Sequence, residues 1–217
     1  MFTGIALPLI FTVVYGLLAV YSAAFVVVAR TGLARAGYFL HSVMSAAMIA
    51  MAWPAGMAAV PLAPAAIFFT LVAGWFGYLF AARNTGRLRR SQLDGHPPWH
   101  QLAHGVMMLT MAWMYAAMMP ELAGGGDVGQ KTGDQNAGGH PPDIAHHHHG
   151  ALPLWLLGSG LILVVALLAF AVVFTREFIT CPDAGRRAWL GHRGECGSHA
   201  VMNLGMIAMC LPLLLAT

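Results

Sequence analysis

Three stretches of this chain set a histidine ahead of three methionines at fixed offsets. They read "HSVMSAAMIAM" from His41, "HGVMMLTMAWM" from His104 and "HAVMNLGMIAM" from His199, and each fits H-x2-M-x3-M-x2-M. The residues so marked are His41, Met44, Met48 and Met51; His104, Met107, Met111 and Met114; and His199, Met202, Met206 and Met209. At 100° per helical residue these offsets fall within an arc of about 80°, so each copy forms one stripe about 15 Å long on its helix. Thioether sulfur is a soft, neutral ligand that selects Cu(I), and imidazole accepts copper, zinc or iron. Hard cations and proton relays require carboxylates, and the three stripes contain none. With 14 Met in 217 residues, composition alone would put three methionines at those offsets from a given histidine only about three times in ten thousand.

Such stripes need helices to carry them, and the composition says what kind. The chain is 59% hydrophobic and only 9% charged, with a mean hydropathy of +0.69, whereas soluble domains carry about a quarter charged residues. It reads as an all-α integral membrane protein. Six transmembrane helices are expected, near residues 4–29, 37–60, 64–82, 99–119, 151–175 and 198–216. Together they take up nearly the whole length, so residues 1–217 are expected to form a single polytopic membrane domain. The opening "MFTGIALPLIFTVVYG" has no basic n-region and too long an apolar run for a signal peptide, so it is read as the first span.

Basic residues set the orientation. Arg30 and Arg35 lie between spans one and two, Arg83, Arg87, Arg89 and Arg90 between three and four, and Arg176, Arg186, Arg187 and Arg193 between five and six; the other side has Lys131. The positive-inside rule then makes those loops cytoplasmic and puts both termini outside the cell (plasma) membrane. The net charge of +3 is thereby a topology signal, and no nucleic-acid partner is expected.

The stripes fall on spans two, four and six, which all run outward from the cytoplasm. This predicts three helix-pair units about a pseudo-threefold axis along the membrane normal, with the even helices lining it. Converging stripes would stack His41, His104 and His199 at the cytoplasmic end. Beyond them would come Met44, Met107 and Met202, then Met48, Met111 and Met206, then Met51, Met114 and Met209.

The pairs Met44-x3-Met48, Met107-x3-Met111 and Met202-x3-Met206 resemble the M-x3-M signature of the Ctr-type copper transporters, whose trimers stack Met triads along a central pore. That resemblance covers these six positions and implies Cu(I) as the cargo. The chain departs from that family in lacking its small-residue G-x3-G helix and in supplying all three pore helices itself. As a whole the chain resembles a family of uncharacterised bacterial integral membrane proteins with His/Met-rich helices, a resemblance that implies the fold and no activity.

Other features are auxiliary. Residues 120–150 form a Gly-rich, polar segment expected to be a flexible outer loop. Its His140 and the run His146, His147, His148 and His149 form a tract of a kind that binds metal weakly, with an incidental solvated linker as the competing reading. His100 shares a helix face with His104, and Cys196 stands three residues before His199, so an auxiliary imidazole and thiolate site is expected beneath the histidine layer.

The sequence has no C-x2-C pair, G-x4-G-K-[ST] loop or D-K-T-G-T signature, so an ATP-driven pump is not expected. No catalytic triad, carboxylate pair or dinucleotide fingerprint marks an enzyme. The expected function is membrane Cu(I) binding, as a transporter or copper-handling protein, with the lipid bilayer, a metal ion and a copper-dependent membrane protein as partners. Two alternatives compete with it. Two of the histidines on facing helices would suit haem b, and the stripes would also serve as packing faces of a non-metal accessory subunit.

Overall fold

The structure, a computed structural model, describes residues 5–29, 31–86, 99–119, 153–180 and 192–215. Among them the chain forms seven helices: α1 Ala6–Val28, α2 Gly32–Ala52, α3 Pro54–Ala59, α4 Leu62–Asn84, α5 Trp99–Ala117, α6 Leu154–Thr180 and α7 His192–Leu215.

Local chemistry sets the ends that matter for the stripes. Thr31 caps α2, its hydroxyl accepting a hydrogen bond from the Ala34 N–H at 3.2 Å. The helix stops at Trp53, held extended at φ −115° and ψ 135°, because Pro54 disfavours the helical region for the residue before it. Pro54 then starts the short α3, where its missing N–H leaves no intrahelical bond unmade. The expected second span, 37–60, is therefore corrected: α2 begins earlier and breaks at Trp53. The Trp53 indole N–H pins the break by donating to Thr12 Oγ1 at 2.8 Å.

Among the described residues four helices are long and apolar enough to cross a membrane: Ala6–Val28, Leu62–Asn84, Leu154–Thr180 and Arg193–Leu215. The first three turn large side chains outward, among them Val13, Val20, Ile67, Leu71, Ile162 and Val165. An apolar exterior of this extent fits a lipid bilayer. The other two long helices, α2 and α5, are less apolar, since Arg35 and His41 interrupt one and His100, Gln101, His104 and Thr110 the other. In α5 most residues are buried against protein, so the helix does not depend on lipid-facing apolarity.

The long helices pack chiefly as α1 on α2, α4 on α5 and α6 on α7, with α5 also touching α6 and α7. Each pair is antiparallel. Thr12 meets Trp53 while Phe25 meets Tyr38; Phe69 stacks on Tyr115 while Phe76 meets His104. In the third pair Phe174 meets His199 and Glu177 meets Cys196. Trp113 reaches Leu156 and Trp99 reaches Phe174, so α5 also runs against α6 and hence along α7. The N-terminal parts of α2, α5 and α7 line one cavity with the C-terminal half of α4. Arg35, Arg83, Arg176 and Arg193 occupy terminal turns at that same end.

Two close approaches lock the bundle. The Trp113 indole N–H donates to the Leu156 carbonyl at 3.0 Å, and a Cβ at Gly160 would run into the indole ring. The Tyr15 hydroxyl donates to the Met202 carbonyl at 3.4 Å and lies where a Cβ on Gly205 would be. Gly160→Ala is expected to destabilise the fold by about 1–3 kcal/mol, the range for overpacking, read as a lower unfolding temperature in detergent. Gly158→Ala, where a Cβ meets nothing within 4 Å, is expected to leave that temperature unchanged. Equal unfolding temperatures for the two variants would remove the indole contact as a determinant of the α5–α6 fit.

Candidate metal centre

Each stripe helix brings its histidine to one point. The His41 and His104 ring centroids are 4.5 Å apart, His41 and His199 5.1 Å, and His104 and His199 4.7 Å. One ring nitrogen from each lies within 4.8 Å of the other two. Three nitrogens about 2.0 Å from a shared ion would stand about 3.5 Å apart in a trigonal plane, so modest ring rotations bring this set to ligating distance. Phe76 and Phe174 wall the cluster, 5.3 Å from His104 and 5.0 Å from His199 between ring centroids. A cavity of about 70 Å³ opens onto it, its polar lining made by His41, His100, Gln101, His104, Glu195 and His199.

The hydrogen bonding of His41 fixes how that ring presents itself. Its Nδ1 lies 2.8 Å from the Gly37 carbonyl oxygen, and a carbonyl only accepts, so Nδ1 carries the proton. In the neutral ring Nε2 is then left with a bare lone pair, and that atom is buried with no hydrogen-bond partner among the described residues. Metal-ligating histidines are commonly arranged in this way, one nitrogen bonded to a backbone carbonyl and the other free to ligate.

The methionines follow the histidines into the core. Met44, Met48, Met107, Met111, Met202 and Met206 are all 0% exposed. Met114 and Met209 are also buried, while Met51, in the last turn of α2 ahead of the Pro54 break, is partly buried against the same core.

Of the auxiliary residues, His100 and Cys196 converge on one side chain, Glu177. The Cys196 thiol donates to Glu177 Oε2 at 3.4 Å, and His100 Nε2 lies 3.6 Å from the same oxygen. The histidines at 140 and 146–149 lie outside the described residues.

Sequence reasoning missed Glu177, Gln101 and Glu195, along with Ser45 and Asn203, which are buried one turn beyond His41 and His199. A usable signal existed for Glu177. The chain has only 8 Asp and Glu, and one standing in the last turn of an apolar helix is a functional candidate by default. Ser45 and Asn203 follow their histidines at i+4, each directly after the first methionine of its stripe.

The described residues define a helical protein with helices apolar enough to span a membrane and a buried three-histidine cluster at the head of methionine-rich helices. The chain belongs to the family described as a domain of unknown function, DUF5134, which matches residues 33–213 and so spans all three stripes. It is similar to the "uncharacterized protein Rv0970" of Mycobacterium tuberculosis (strain ATCC 25618 / H37Rv), 33% identical over 184 residues, or 80% of each chain. The "uncharacterized protein Mb0995" of Mycobacterium bovis is similar to the same extent, 33% over 184 residues and 80% of each chain. No solved structure matches the chain.

The His41 geometry is directly testable. Nitrogen NMR of protein labelled in its histidine rings is expected to show neutral His41 as the Nδ1–H tautomer in the metal-free state. An Nε2–H ring at position 41 would contradict the assignment.

Proposed function

We propose that this protein binds Cu(I) where α2, α5 and α7 meet, and either moves it across the bacterial inner membrane or holds it for a copper-dependent membrane protein. The observation that carries this reading is the convergence of one imidazole from each of three helices, with donor atoms within 4.8 Å of one another. On this reading α2 and α5 also cross the bilayer, giving six spans as three helix pairs about a pseudo-threefold axis. The end that carries Arg35, Arg83, Arg176 and Arg193 faces the cytoplasm and both termini face outward, as the positive-inside rule requires.

His41, His104 and His199 hold the ion at the inner end of the path, and the buried thioethers of the stripes receive it beyond. Both ligand types are neutral, which suits a monovalent soft ion inside a low-dielectric bundle. Residues four apart on a helix lie about 6 Å apart along its axis, so an ion advances by exchanging one layer of sulfurs for the next. The resemblance to the Ctr-type M-x3-M signature supports the same cargo. The function is binding or transport, with no catalytic step.

The cavity at the cluster favours an ion over haem. Its volume of about 70 Å³ is far below the roughly 300 Å³ of the smallest ordinary ligand pockets. The three mutually close rings also leave no slot for a macrocycle between two axial imidazoles.

Competition of the purified protein with a chromogenic Cu(I) chelator is expected to show stoichiometric binding. Replacing His41, His104 and His199 by alanine is expected to weaken it more than about tenfold, the low end for disturbing a metal site. Replacing Met44, Met48, Met107, Met111, Met202 and Met206 by leucine is expected to weaken it as well, while the near-conserved volume preserves the fold. Unchanged Cu(I) affinity in both variants would leave the stripes as packing surfaces.

A further inference from the structure

Beside the three-histidine cluster lies a second constellation, drawn from three helices, with a different donor chemistry. Glu177 stands in the last turns of α6, Cys196 near the start of α7 and His100 in the first turn of α5. One carboxylate oxygen joins them: Glu177 Oε2 accepts from Cys196 Sγ at 3.4 Å and lies 3.6 Å from His100 Nε2. The thiol and the imidazole are fully buried, at 0% and 2% exposure, whereas the Glu177 side chain is 31% exposed. The carboxylate therefore connects an interior sulfur and nitrogen with the exterior of the bundle.

We propose that Cys196, His100 and Glu177 form a second transition-metal site, a port through which the ion is passed to or from the three-histidine cluster. Sulfur, nitrogen and carboxylate oxygen together are the donor set of borderline transition metals. An arriving ion takes the place of the thiol proton between Sγ and Oε2: the S–H bond breaks, the sulfur–metal bond forms, and the proton leaves to water along the exposed side of Glu177. Its next neighbours are close, with the His100 ring centroid 6.2 Å from that of His199 and 6.5 Å from that of His104. Phe174 packs on both His100 and His199, at 5.2 Å and 5.0 Å between centroids, and keeps the two rings in register. The carboxylate belongs at this edge, where it meets an ion that still carries water. Deeper in, the ligands are neutral.

As a port, the site rests on the copper reading above, but its existence as a metal site is tested separately. Co(II) is the probe, because thiolate ligation gives it an intense near-ultraviolet charge-transfer band that imidazole and thioether ligands do not. The band is expected in the wild-type protein and equally in the His41, His104 and His199 to alanine variant. It is expected to be lost in Cys196→Ser and retained in Cys210→Ser. Glu177→Gln, nearly isosteric, is expected to keep the band and lower Co(II) affinity by about tenfold to a hundredfold. Loss of Cu(I) binding at the cluster with the Co(II) band intact would leave the second site standing. A band absent from the histidine variant, or persisting in Cys196→Ser, would overturn it whatever the cluster binds.

Discussion

Three imidazoles meeting inside an apolar helix bundle set the constraint on which the rest of this structure depends. A buried polar atom left without a partner costs about 1–3 kcal/mol, and in a membrane no water is at hand to supply one. The helix pairing keeps the imidazoles away from the exterior of the bundle. Each histidine-bearing helix has one apolar antiparallel partner, α1 for α2, α4 for α5 and α6 for α7, which faces outward and leaves the stripe free to turn inward. Beside the aromatic contacts between units stand two hydrogen bonds: Tyr15 to the Met202 carbonyl and Trp113 to the Leu156 carbonyl. Both tie a stripe helix to an element outside its own pair, and both end beside a glycine whose missing side chain makes room.

Much of this was legible in the sequence because helical periodicity is a strong signal when it repeats. The offsets from His41, His104 and His199 placed four residues of each stripe on one face, and the structure brings the three histidines together and buries eight of the nine stripe methionines. The exception has a local cause. Met51 lies two residues before Trp53, where Pro54 forces the chain out of the helix, and a stripe ends where its helix ends. Reading Pro54 as a helix terminator would have placed that boundary from sequence alone.

What sequence did not disclose was the relation between separate helices. Nothing in "FTREFIT" says that Glu177 will meet Cys196 nineteen residues later and His100 on a third helix. Such contacts depend on helix rotation and depth, which packing decides. Gross hydropathy also misleads at the centre of the bundle: α5 holds two of the histidines and is more deeply buried than any candidate span, yet its polar residues keep it below the apolarity of those that face outward. A helix sheathed by other helices is freed from the lipid's demand for apolar surface, and that freedom allows it to carry imidazoles.

The composition of the core next to the cluster also argues against a purely packed interior. Methionine alone would not, since it fills irregular gaps as readily as it ligates. Ser45 and Asn203, however, lie one turn beyond His41 and His199, are 0% exposed, and present Ser45 Oγ and Asn203 Oδ1 without partners among the described residues. The Asn203 amide already donates to the His199 carbonyl at 2.8 Å, which orients its oxygen. Apolar residues of similar shape would remove both unsatisfied oxygens at little loss, so a core built only to pack would do better without them. Together with the bare Nε2 of His41, they give the interior three buried lone-pair atoms that no donor among the described residues meets, a feature that packing alone does not call for.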